Sequence, residues 1–175
     1  MSKAKKIAFC ALMIALALAL SYAERFIPLQ LVIPLPGIKL GLANVVTLVA
    51  LYRLKGRYAF AILIPRCILG AVFGGGITGL FFSLFGGLLA LVTMLLAKKA
   101  PLFSVYGVSI LGAAAHNIGQ IFAAMVLLRS VYVAAYLPWL LLTAIVTGIL
   151  TGAAGAGILH ALLYATVSAP AEMSR

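Results

Sequence analysis

Apolar runs, each close to bilayer thickness and divided by short basic breaks, limit this chain's fold more than any other feature. They lie at about 7–23, 40–52, 58–73, 77–97, 104–128 and 137–167. About 20 apolar residues in a helix span a hydrocarbon core of ~30 Å. Apolar residues make up 66% of the 175 and charged residues 9%. Soluble domains run nearer 45–50% apolar and about 25% charged. No soluble fold hides that much apolar surface. The expected fold is therefore all-α: a polytopic membrane helix bundle of about six transmembrane helices, a single domain over residues 1–175.

The formal net charge is +11, which in a soluble chain would point to nucleic acid. Its placement points instead to orientation. Six crossings put both termini on one side, and that side collects Lys3, Lys5, Lys6, Arg53, Lys55, Arg57, Lys98, Lys99 and Arg175, nine of the 13 cations. The other side holds Arg25, Lys39 and Arg129, with Arg66 within a run. The positive-inside rule then reads N-in and C-in, a multi-pass protein whose partner is the lipid bilayer and not nucleic acid. The basic start, apolar run and Ser21-Tyr22-Ala23 resemble a signal peptide, but the run is long enough to serve as a first membrane helix. Cys10 and Cys67 lie in apolar segments without a CxxC or Cys/His cluster, so no metal or cofactor is expected.

Along the first run, Ala4, Ala8, Ala11, Ala15, Ala19 and Ala23 recur mostly at spacing four and share a helix face. Small residues in register let a second helix approach closely, though alanine is also common in bilayer helices. Residues 24–39 are apolar but broken by Pro28, Pro34, Pro36 and Gly37, as in a loop folded over the protein. The second run is short for a crossing. The third is interrupted at Pro65-Arg66, and Gly74–Gly76 makes a tight turn. The sixth is long and glycine-rich, with Gly148, Gly152, Gly155 and Gly157.

Polar groups inside apolar runs are costly and therefore informative. His116, Asn117 and Gln120 fall within five residues of the fifth run, and His116 and Gln120 share a face. They line a ligand cavity or tie helices together by hydrogen bonds. Arg66 has no aspartate in the whole sequence to pair with, and Glu24 and Glu172 are the only acids. Its guanidinium suits a ligand anion, or else it snorkels to backbone carbonyls. Arg25, Lys39 and Arg129, with Asn44 at the head of the second run, extend this into a cationic, outward-opening pocket, or anchor lipid headgroups. Trp139, Tyr132 and Tyr136 read as an interfacial belt, and His160 as a packed residue. There is no GxxxxGK[ST] motif for ATP, no HExxH and no acidic pair for metal-diphosphate chemistry, so no enzymatic activity is expected.

PGIKLGLAN at 36–44, PRCILGAVFGGG at 65–76 and AAHNIGQ at 114–120 resemble the Gx transporter family, often labelled heptaprenyl diphosphate synthase component I. That family is similar to the substrate-binding S components of energy-coupling factor (ECF) transporters. The resemblance implies a six-helix protein of the bacterial plasma membrane, both termini cytoplasmic, that binds a small molecule from outside. Its implied partners are a transmembrane coupling subunit and two ATPase subunits. Asn44, Arg66, His116, Asn117, Gln120 and Lys39 would contact the substrate, and Ala11, Ala15 and Ala19 the coupling subunit. A stand-alone secondary carrier or channel, with His116 relaying a proton, is the second reading. A non-catalytic membrane accessory of prenyl diphosphate synthesis is the third.

Overall fold

The computed structural model describes residues 2–27 and 39–172. Most of the loop read at 24–39, and Arg175, lie outside the described residues. Six α-helices and no strand occur among those described. Helix α1 (Lys3–Ala23) starts at Ser2, whose hydroxyl accepts the Lys5 N–H at 3.3 Å. It packs inward through Met13 and Ala17, with Phe9, Cys10 and Ile14 beside them. Ala11, Ala15 and Ala19 lie on its exposed side.

Helix α2 (Asn44–Arg53) is only ten residues long, yet Asn44 through Leu51 are all buried. It touches the other five helices and forms the centre of the bundle. Gly41, at φ +82°, turns the chain into it, a conformation that costs glycine little. Lys98 donates to the Leu51 carbonyl at 2.7 Å and so caps an orphan acceptor at its far end.

Helix α3 (Gly56–Gly70) continues through Pro65. The interruption expected there is not a break. Proline's φ is already helical, so the cost is one backbone hydrogen bond, which a packed membrane helix tolerates. The chain reverses instead at Ala71–Gly75, where Phe73 and Gly74 leave helical geometry and Gly74 takes φ 104°. Helix α4 (Gly76–Lys99) then returns against α3, with Gly87 facing Leu63 and Gly56 facing Leu95.

Helix α5 (Val105–Leu128) ends at Arg129, whose left-handed backbone (φ 49°) turns its N–H back onto the Met125 carbonyl. Helix α6 (Leu137–Glu172) has 36 residues, about 54 Å at ~1.5 Å each, longer than a bilayer core. Apolar segments long enough to cross a membrane are Lys3–Ala23, Gly56–Lys99 (the α3–α4 hairpin), Val105–Leu128 and Val131–Tyr164. The molecule is an integral membrane helix bundle.

Candidate functional site

The site grows from two adjacent glycines on α4. Gly86 and Gly87 have no side chains, so α4 can take a ring on one side and a guanidinium on the other. A Cβ at Gly86 would stand 2.8 Å from His116 Cε1 and 2.9 Å from Nδ1. One at Gly87 would stand 3.2 Å from Arg66 Nη2 and 2.6 Å from Leu63 Cδ1. Close helix approach through small residues is how membrane bundles gain packing energy without a hydrophobic drive. Here it also seats two polar groups inside the protein.

Arg66 is 6% exposed, and its Nε and Nη2 have no hydrogen-bond partner. These two nitrogens share one edge of the guanidinium, with N–H bonds nearly parallel. That edge matches two oxygens of a carboxylate or phosphate. Arg66 also lines a cavity of about 480 Å³ bounded by α1, α3, α4 and Lys39. On the polar side lie Lys39, Arg66 and Ser83, and the Lys39 ammonium donates to Ser83 Oγ at 2.9 Å. Leu18, Ala19, Gly70 and Phe73 also line it, together with Ser21, Tyr22 and Cys67. A second hollow of about 370 Å³ between α4 and α5 is walled by Phe85, Ile118, Phe122 and their apolar neighbours and holds no charge.

Lys39 is held from several directions. Its backbone N–H points to Gln120 Oε1 at 3.4 Å. Gln120 Nε2 lies 3.0 Å from His116 Nε2. With the amide oxygen committed to Lys39, the amide nitrogen donates to the ring, which places the proton of a neutral His116 on Nδ1. Glu24, 5% exposed at the end of α1, accepts the Leu42 N–H. Burial pushes its carboxyl above the usual range, opposed by the Leu42 N–H and by the charges of Lys39 and Arg66. The single acid near the site thus pins the turn that carries Lys39 and sits within electrostatic reach of both cations.

The residues singled out from the sequence fall into three groups. Lys39 and Arg66 line the cavity. Gln120 and His116 stand behind Lys39, and Asn44 shares their surroundings, since a Cβ on Gly41 would meet both Asn44 Nδ2 and His116 Cδ2. Asn117 turns away, donating to the Leu140 carbonyl at 2.6 Å and tying α5 to α6. None of Asn44, His116, Asn117 and Gln120 forms the described cavity wall. Tyr22, Ser83, Gly86 and Gly87 were not singled out. Ser83 and Gly87 are four apart on one helix face, and that spacing of a hydroxyl and a gap was the signal available.

No curated protein and no solved structure matches the chain. A family model described as heptaprenyl diphosphate synthase component I matches residues 13–158. A match over that much of an integral membrane helix bundle places the chain, plainly, in the heptaprenyl diphosphate synthase component I family.

Proposed function

We propose that this protein is the substrate-binding membrane subunit of an ECF-type, ATP-driven importer for a small anionic molecule, and that it is not itself an enzyme. The observation that carries the binding part is Arg66, a buried residue that lines the cavity with two N–H nitrogens left without a hydrogen-bond partner. An unpaired guanidinium within a membrane bundle is expensive, and a bound oxyanion offsets that cost. Lys39 and Ser83 complete the anion site. Gln120 and Glu24 position Lys39, and His116 positions Gln120. The sequence has no P-loop lysine motif, so on this reading ATP hydrolysis belongs to two partner subunits joined through a transmembrane coupling subunit. The exposed alanine face of α1 supports such a contact, since it offers small residues away from the bundle core.

The test is co-expression with a coupling subunit and two ATPases, then purification on a tag carried by this chain alone. The complex is expected to hold together and to release bound anion on ATP hydrolysis. Uptake of anion by proteoliposomes holding only this chain, driven by a pH gradient, would overturn the reading in favour of a secondary carrier.

A further inference from the structure

The two sides of the cavity differ in chemistry, and the difference narrows the ligand. At one side stand the Arg66 edge, the Lys39 ammonium and the Ser83 hydroxyl. The rest of the lining is led by Leu18 and Ala19 from α1 with Gly70 and Phe73 from the end of α3 and the turn after it, and it also includes Ser21, Tyr22 and Cys67. Leu18, Ala19, Gly70 and Phe73 offer a ligand no side-chain donor. A ligand polar along its whole length would set groups against these four residues unpaired, at a cost. Two aromatic rings of the lining are exposed, Phe73 at 65% and Tyr22 at 57%.

We infer that the cavity takes a single-tailed amphiphilic anion, its oxyanion forked on Arg66 and its apolar tail laid along Leu18, Ala19, Gly70 and Phe73; this rests on the substrate-binding reading above and names its ligand class. The volume agrees. About 480 Å³ lies toward the lower end of the ~300–1,000 Å³ of small-molecule sites, room for one short tail and not for a two-chained phospholipid. Gly70 keeps the tail side open, since a Cβ there would meet only Leu18 Cδ2, at 3.8 Å. A larger side chain at this position therefore fits the fold and fills the tail path.

The experiment uses the full chain in phosphatidylcholine nanodiscs, with butyrate and octanoate as probes in titration calorimetry. Octanoate is expected to bind more tightly, by up to about fourfold for each added methylene. Gly70→Leu is expected to weaken octanoate at least tenfold and butyrate less than twofold, whereas Arg66→Gln loses both. Partition of the probe into lipid would leave the Gly70→Leu ratio unchanged, and that result overturns the inference. Equal affinities for the two acids, both lost in Arg66→Gln, would overturn the tail and keep the anion site. Octanoate binding untouched by Arg66→Gln would remove the site itself. Replacing a third of the lipid with phosphatidylglycerol is expected to leave octanoate affinity unchanged. Competition there would make a bilayer phospholipid the occupant and overturn the single-tailed assignment. Should Gly70→Leu fail to fold, Ala19→Trp narrows the same wall from α1 and carries the same outcomes.

Discussion

Two nitrogens of Arg66 and two glycines of α4 carry most of what is specific to this site. The guanidinium is buried without a hydrogen-bond partner on one edge, and Gly87 leaves the space it occupies. Arg66→Lys keeps the charge and loses the fork. Charge-assisted hydrogen bonds contribute about 1.5–3 kcal/mol, so anion affinity, measured by titration, is expected to fall at least tenfold in that variant. Gly86→Ala addresses the other side of α4. Its methyl would stand 3.0 Å from the His116 carbonyl oxygen and closer to the ring, so the contact with Gln120 is displaced. Overpacking of this kind costs about 1–3 kcal/mol, to be read as a lowered midpoint in thermal unfolding in detergent. Arg66 was legible in the sequence because an arginine in an apolar run, in a chain without aspartate, has few places to put its charge. Gly86 and Gly87 were not, because a glycine's role is set by what lies across from it.

Among the elements, α6 shows how one composition divides into separate tasks. Gly148 meets α5 so closely that a Cβ would stand 2.5 Å from Ile110 Cα, while nothing lies within 4 Å of one at Gly157. Gly155 faces Leu48 of α2 at 2.7 Å. Gly148→Ala is therefore expected to lower thermal stability by about 1–3 kcal/mol, because a backbone atom cannot turn aside as a side chain can. Gly157→Ala is expected to leave stability unchanged or raise it by up to about 1 kcal/mol, from helix propensity alone. Paired unfolding curves check both, and equal effects would show that α5 and α6 do not approach as described. Helix α2 makes the complementary point. Its run looked short for a crossing, and burial from Asn44 to Leu51 explains why, Asn44 and Thr47 apart, that stretch is apolar on every face.

For the whole molecule, orientation and partnership are the open properties. Basic residues cluster at the α2–α3 and α4–α5 connections, and the α5–α6 connection holds Arg129 and the exposed Tyr132, with the exposed Trp139 in the first turn of α6. With Cys10 and Cys67 replaced by alanine, a cysteine at Arg129 is expected to react with an impermeant maleimide in intact cells. One at Lys55 is expected to react only after permeabilisation, and the reverse pattern would invert the topology. Ala19 belongs both to the exposed face of α1 and to the cavity wall, so a test of partner contact must avoid it. Ala11→Leu with Ala15→Leu is expected to reduce co-purification of a coupling subunit several-fold while octanoate affinity stays the same. Full recovery of the complex would remove the alanine face as the contact.

Taken by itself, the sequence determined the solvent of this protein and the periodicity of its elements. Apolar runs of bilayer length leave a backbone no choice but internal hydrogen bonds, and basic breaks mark where most of the crossings end. It also drew attention to Arg66, His116, Asn117 and Gln120, because polar groups stand out against lipid-compatible neighbours. Only the tertiary structure decided which of them share a space. Arg66 and Lys39 meet in one cavity although they come from different segments, Asn117 turns to α6, and Glu24 crosses to the turn before α2. Those outcomes depend on which helices pack side by side and at what rotation. In a chain so uniformly apolar, hydropathy cannot distinguish a face that meets lipid from one that meets another helix.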